Sequence, residues 1–206
     1  MARTITYNIL EISSENVLET ESLGSKTKFW VRIVEDNEEE DWLFKIPREN
    51  TGEHWAEKVA AKVGKILNIP CAHVELAKFE GTNGSCSKSF INKKKKPELI
   101  HGNEILSGRV IGYEKNKKYG QRDHTYTNIR EAISRTGNES EAERALKHFA
   151  GYIVLDALIG NTDRHHENWA LLRWTDKDKQ TYHVLAPSFD HASSLGRVLL
   201  DKKRAC

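Results

Sequence analysis

Gly160-Asn161-Thr162-Asp163-Arg164-His165-His166-Glu167-Asn168-Trp169-Ala170-Leu171-Leu172 is the stretch that decides the fold. It is polar from Asn161 to Asn168 and has apolar sequence on both sides. Residues 149–159 are apolar nearly all round a helix, which predicts the spine of a lobe, and Gly160 is its expected stop. Residues 169–174 and 181–185 read as two strands across a turn at 175–180. Beyond them comes Ala186-Pro187-Ser188-Phe189-Asp190-His191. A hairpin so placed brings Asn168 and Asp190 to one mouth, where Asp163 also lies. Two carboxylates and an amide then converge.

That set matches the needs of phosphoryl transfer. One Asp must position an acceptor hydroxyl and take its proton. An Asn and a second Asp must supply hard oxygen ligands to Mg²⁺, and a Lys held by a Glu must steady the phosphates of ATP. Asp163 and Asn168 are five positions apart, as are the corresponding Asp and Asn of a kinase catalytic loop. Asp190 fits the metal-binding Asp that follows. Upstream, alternation along Leu43-Phe44-Lys45-Ile46 puts Phe44 and Ile46 on one face and Lys45 on the other. A lysine in so apolar a strand needs a partner for its ammonium group, and Glu57, one helix later, is the candidate. Leu23-Gly24-Ser25-Lys26-Thr27-Lys28 precedes a strand and is the candidate phosphate loop, with a single glycine rather than a full Gly-rich fingerprint.

Residues 161–168 followed by Leu185-Ala186-Pro187-Ser188-Phe189-Asp190 resemble the catalytic and metal-binding segments of HipA-like kinases. The core Asp163-Arg164-His165 with Asn168 is also similar to phosphatidylinositol kinases. The resemblance extends back through His54-Trp55-Ala56-Glu57-Lys58-Val59-Ala60 and Leu67-Asn68-Ile69-Pro70, so it covers most of the chain. It implies that Asp163 is the catalytic base, that Asn168 and Asp190 hold Mg²⁺, and that Lys45, steadied by Glu57, binds phosphate. Gly24, Ser25, Lys26 and Thr27 would cover the nucleotide, with Asn168 and His165 also at its site; His165 is expected mainly to support the loop. The implied substrates are ATP and a protein Ser or Thr. The implied setting is the bacterial cytosol, and some members are toxins of toxin–antitoxin pairs. HipA-like kinases can phosphorylate their own phosphate loop, which makes Ser25 and Thr27 the expected sites of autophosphorylation. Members commonly carry a further N-terminal subdomain and several helices beyond the metal-binding Asp. Here a fragment, a minimal form and a second lobe completed by a partner chain are all open readings. A second chain, either a copy of this one or the separate remainder of a kinase C-lobe, is expected to cover the apolar helix together with Val198, Leu199 and Leu200.

The rest of the chain is consistent with an α+β, two-lobed, protein-kinase-like fold. It would have a small β-rich N-terminal lobe with one helix and a mainly helical, shortened C-terminal lobe. Residues 30–34 and 42–46 read as strands around an acidic hairpin loop at 37–41, because clustered carboxylates are best left in water. A helix is predicted over 53–67, with Trp55, Val59, Val63, Ile66 and Leu67 as its buried face and Asn68 as its stop. Residues 72–79 and 89–91 read as further strands of an antiparallel lobe, and Gly81-Thr82-Asn83-Gly84-Ser85 as a turn. Lys93 to Lys96 form a solvated surface turn. Thr127 is the expected cap of a short helix reaching Arg135, and Ser140 with Glu143 the capping box of the long one. The lobes are expected at 1–100 and 114–206, joined by a connector at 101–113 that lies against the adenine.

Composition narrows the alternatives. With 32 Lys and Arg against 30 Asp and Glu, the chain gives no reason to expect nucleic acid as a partner. Three unpatterned cysteines speak against a disulfide framework, and no apolar run approaches the ~18 residues of a membrane span. No signal peptide is evident, so a cytoplasmic protein is expected. Asp163, His165, His166 and His191 offer a zinc-hydrolase alternative, which would leave Lys45 and Glu57 unexplained. His166 and His191 are expected to face solvent or to back the site, and Asp156 to bond the backbone of the loop after its helix. Two other functional classes stand beside the protein kinase. One is a nucleotide-binding pseudokinase that acts by binding a partner; the other is a kinase for a small molecule or lipid.

Overall fold

The computed structural model describes residues 7, 9–21, 27–35, 38–117 and 120–197. They fall into two compact units. One draws on Met1–Ile66, Ala72–Ser89 and His191–Cys206, the other on Leu67–Cys71 and Phe90–Asp190. The proposed phosphate-loop residues Gly24, Ser25 and Lys26, and the apolar Val198, Leu199 and Leu200, lie outside the described residues.

The first unit is a six-stranded sheet with one helix. Its strands are β1 (Ile9–Ile12), β2 (Val17–Glu21), β3 (Lys28–Glu35), β4 (Glu38–Lys45), β5 (Val74–Phe79) and β6 (Thr82–Lys88), and α1 (Glu53–Ile66) lies between β4 and β5 in the chain. The order across the sheet is β1-β5-β6-β4-β3-β2. The edge strand β1 runs parallel to β5, which corrects the purely antiparallel expectation. One face packs Phe29, Val31, Trp42 and Phe44 with Ala77 and Cys86, and the Phe29 and Phe44 rings lie 5.1 Å apart.

Three local expectations are corrected here. The acidic run is strand, not loop: Glu38–Asp41 belongs to β4. Its carboxylates find cations on neighbouring strands, with Arg32 2.8 Å from Asp41 and Lys88 3.0 Å from Glu40. The presumed turn at Thr82 is the start of β6, and the reversal sits instead at Glu80 and Gly81, both left-handed (φ 47° and 83°). Gly84 within β6 leaves room for Phe44, since a Cβ there would come 2.5 Å from its ring. No strand forms at 89–91.

Helix α1 spans nearly the predicted residues, and left-handed Asn68 follows it (φ 56°), but it buries the opposite face. Its inward side is Glu53, Ala56, Glu57, Lys58, Ala60, Ala61 and Gly64. Val59, Ile66 and Leu67 are exposed, Ile66 by 78%. Small side chains let the helix backbone approach its neighbours closely, and each buried charge is matched: Lys58, for one, donates to the Val74 carbonyl at 2.8 Å and to Glu75 at 2.6 Å.

The second unit holds β7 (Glu98–His101), α2 (Gly102–Ser107), α3 (Tyr126–Ser134), α4 (Glu139–Ile159), β8 (Ala170–Thr175) and β9 (Thr181–Leu185). The three strands form a sheet in the order β7-β8-β9, with β8 and β9 the expected hairpin. Both helix caps lie two residues before their predicted positions. Thr125, not Thr127, accepts the Asn128 N–H at 3.2 Å. Asn138 with Glu141, not Ser140 with Glu143, forms the capping box of α4, directly after left-handed Gly137. Gly160 ends α4 in the left-handed conformation, as expected.

Ala142, Ala145, Phe149, Tyr152, Leu155 and Ile159 give α4 a single buried stripe at helical spacing. That stripe joins Ile129 and Ile133 of α3 and Trp169, Leu171 and Leu185 of the hairpin in one core. Trp169 lies so close to Gly102 that a Cβ there would come within 2.1 Å of its ring. On the other side of α4, Ile153, Val154 and Leu158 are exposed.

Candidate active site

In the second unit, the end of α4 delivers the chain into the polar loop. Asp163 is braced by its own backbone N–H, which donates to Asn161 Oδ1 at 3.2 Å. The Asn168 side chain reaches back across the loop, its Nδ2 donating to the Asp163 carbonyl at 2.7 Å. The amide nitrogen is thus committed, which leaves Oδ1 as the acceptor atom that a hard cation requires. Asn168 is 4% exposed, whereas the Asp163 side chain keeps 36% of its surface in water.

His165 closes the loop from within. Its Nδ1 accepts the Glu167 N–H at 3.2 Å, so the neutral ring carries its proton on Nε2, 4.0 Å from Asp163 Oδ1. His166 is not in solvent, as one of the sequence expectations had it. It is 1% exposed and bonded through Nδ1 to the Tyr113 hydroxyl at 2.8 Å, so its ring belongs to the scaffold. Beside it, His124 Nε2 accepts the Trp169 indole N–H at 3.2 Å. Burial first, then the neighbouring His166, His165 and Arg164, push the His124 pKa down to about 4, so the imidazole is a neutral acceptor. Sequence reasoning missed Tyr113 and His124, for neither stands in a recognisable motif.

The segment carrying Asp190 is held in the same unit. The Ala186 N–H donates to the Ala170 carbonyl and the Ser188 N–H to the Pro70 carbonyl, both at 2.9 Å. The Phe189 ring packs 5.8 Å from Phe90. Asp190 itself is left-handed, φ 57°, a conformation uncommon for a residue with a Cβ. Arg164 joins this segment to the loop: Nη1 donates to the Asn168 carbonyl at 2.6 Å and to the Phe189 carbonyl at 3.4 Å. The guanidinium also grips Asp156, so the Asp156 carboxylate serves a side chain rather than the loop backbone it was expected to bond.

The first unit holds the other half of the predicted set. Lys45 Nζ stands 3.7 Å from Glu57 Oε2, with Lys45 15% and Glu57 1% exposed at the side chain. Glu57 Oε1 accepts the backbone N–H of His191 at 3.0 Å. His191, also expected in water or behind the site, is 1% exposed. One turn earlier, Glu53 pairs with the buried Arg197, whose Nη2 donates to Ser193 at 2.6 Å. Residues 191–197 therefore form a strap along α1, a feature sequence reasoning did not foresee. Thr27 is exposed, and its carbonyl accepts the Ile46 N–H at 3.0 Å, next to Lys45 in the chain. Among the described residues no three of His, Cys, Asp and Glu are grouped as a metal shell, so the zinc alternative has no such cluster to draw on. Nor is any described helix long and apolar enough to cross a membrane.

The sequence profile of the HipA-like C-terminal domain matches residues 20–201. No curated protein sequence matches the chain. Among solved structures it is similar to the Helicobacter pylori proinflammatory kinase CtkA, with a TM-score of 0.69 and 20% identity over 93% of this chain and 63% of that one. It is also similar to a chain from the Shewanella oneidensis MR-1 toxin–antitoxin complex of HipA, HipB and operator DNA, with a TM-score of 0.53 and 16% identity over 85% of this chain and 44% of that one. At these identities the likeness is one of fold, and the fold is kinase-like. The chain spans less than two thirds of either protein.

Proposed function

Since the chain belongs to the HipA-like C-terminal domain family, we propose that it is a HipA-type kinase that moves the γ-phosphoryl group of ATP to a Ser or Thr hydroxyl of a protein. The observation that carries this is the convergence of the Asp163–Asn168 loop and the Asp190 segment on one guanidinium group, Arg164. It supplies, on one unit, the carboxylate, amide and second carboxylate that phosphoryl transfer uses. Asp163 orients the acceptor hydroxyl and takes its proton as the oxygen bonds to the γ-phosphorus and the bond to ADP breaks. Lys45, fixed by Glu57, steadies the ATP phosphates. Asn168 and Asp190 are hard oxygen donors suited to Mg²⁺, which when bound neutralises phosphate charge.

The deciding experiment is incubation with γ-labelled ATP and Mg²⁺, with and without a lysate, followed by mass spectrometry of labelled proteins. Transfer to Ser or Thr is expected, including modification of Ser25 or Thr27 on the chain itself. It should be lost in Lys45→Met. Label on a small molecule or lipid alone would move the acceptor to that class. Mg·ATP binding without transfer would make the chain a pseudokinase, and failure to bind nucleotide would overturn the proposal altogether.

The exposed face of α4 belongs to the same proposal. Val154 and Leu158 are one turn apart on it and are 59% and 62% exposed, with Ile153 beside them. We expect a second copy of the chain to cover this stripe. Light scattering should give a mass above the 23.6 kDa of one chain, and Val154→Glu with Leu158→Glu should return it to that value. A fully active monomer of the unmodified protein would show that the face needs no cover.

A further inference from the structure

We infer that Arg164 and Asp156 form a positioning pair that sets Asn168 and the Phe189–Asp190 peptide at a fixed separation, and so governs how tightly the site takes its metal. The inference rests on the proposed kinase activity and assigns a role to two residues that do not touch substrate.

The guanidinium is fully committed. Nε donates to Asp156 Oδ2 at 2.7 Å and Nη2 to Asp156 Oδ1 at 2.8 Å, a two-point grip. Nη2 also donates to Ser188 Oγ at 2.9 Å. Nη1 serves the carbonyls of Asn168 and Phe189. One side chain thus ties together the end of α4, the loop and the segment after β9. A lysine, with a single nitrogen, has no fork to span these partners.

Two observations separate this from an ordinary stabilising ion pair. First, Asp156 lies in the last turn of α4, where the helix dipole disfavours a carboxylate, so local helix preference does not account for it. A buried ion pair is also a poor source of net stability compared with apolar packing, and both side chains here are 12% exposed. Second, Asp190 is held left-handed, a state that persists only where its surroundings over-determine it. The bond from Arg164 to the Phe189 carbonyl acts on the residue immediately before it. Asp156 is itself fixed, accepting the Asn161 amide at 2.8 Å, so the anchor does not swing.

The test uses Arg164→Lys, Asp156→Asn and Asp156→Glu in the full chain. Groups that orient metal ligands typically matter ~10–100-fold in metal affinity. Arg164→Lys and Asp156→Asn are therefore expected to raise the Mg²⁺ concentration for half-maximal transfer by about that factor, with the rate at saturating Mg²⁺ largely kept. Asp156→Glu, which can restore the grip, should recover part of it. A purely structural pair would lower the unfolding midpoint without this split. Hydrogen exchange on the protein without nucleotide provides a second arm that needs no activity. Peptides covering 164–169 and 186–191 should exchange faster in both disrupting variants, while the α3 and α4 core does not. Unchanged Mg²⁺ dependence in folded variants, or unchanged exchange in those peptides, overturns the inference. If the unmodified protein neither binds Mg·ATP nor transfers phosphate, the kinase proposal fails by itself, and the exchange arm alone then decides whether the pair positions the two segments.

Discussion

Asp190→Asn should abolish phosphoryl transfer and weaken Mg·ATP binding while leaving the protein folded. Asparagine tolerates the left-handed region at least as well as aspartate, so the backbone at φ 57° should be retained. What disappears is one negative charge facing the cation. A bound metal ion supplies several kcal/mol of charge stabilisation in a transition state, and each ~1.4 kcal/mol is tenfold in rate. The expected loss of turnover is therefore at least ~10²-fold. Calorimetry with and without Mg²⁺, alongside the labelled-ATP assay, measures both quantities. Unchanged affinity and unchanged rate would remove Asp190 from the site.

Asp163→Asn should behave differently. Its carboxylate is more exposed than the His165 side chain beside it, 36% against 11%, and is assigned to the acceptor, not to the nucleotide. The substitution leaves untouched the Asp163 backbone N–H and carbonyl that brace the loop. ATP affinity should stay near its original value while transfer falls ~10²–10⁴-fold, the usual contribution of a general base. A variant with near-normal transfer would take the proton-accepting role away from Asp163. Intact binding here, set against weakened binding in Asp190→Asn, is the pattern that distinguishes the two carboxylates.

The parts of the site that could be read from sequence are those whose chemistry opposes their surroundings. A polar run between an apolar helix and an apolar strand marked the loop, and a lysine amid Leu43, Phe44 and Ile46 marked the pair with Glu57, found at 3.7 Å. The face of α1 was misread for a related reason. Periodicity selects large apolar residues, yet here the close-packed side is built from Ala56, Ala60, Ala61 and Gly64 around paired charges. Only knowledge of the partners, among them Arg197 far along the chain, would have reversed that choice. The caps at Thr125 and Asn138 each had an equally plausible competitor two residues on, and local propensity does not separate them. For His166 and His191 the sequence left solvent and a place behind the site both open, because the Tyr113 bond to the His166 ring and the Glu57 bond to the His191 backbone come from residues far away in the chain. Asp156, an aspartate inside an apolar helix, did signal a bond to the following loop, but its partner is the Arg164 side chain eight positions on and not the loop backbone.

The strap over α1 has a consequence for how the chain is made. His191 and Arg197 belong to the same compact unit as the helix they clasp, but the whole of Phe90–Asp190 is synthesised between Ser89 and that strap. At ~5–20 residues per second, the ribosome needs on the order of 5–20 s to cross the interval. Throughout that time Glu53 and Glu57 exist without the Arg197 and His191 bonds that meet them in the finished protein. The sheet can pair while the chain is still growing, but the helix that presents Glu57 to Lys45 is fastened last. Assembly of the lysine's setting is thereby deferred until the loop and the Asp190 segment have already emerged.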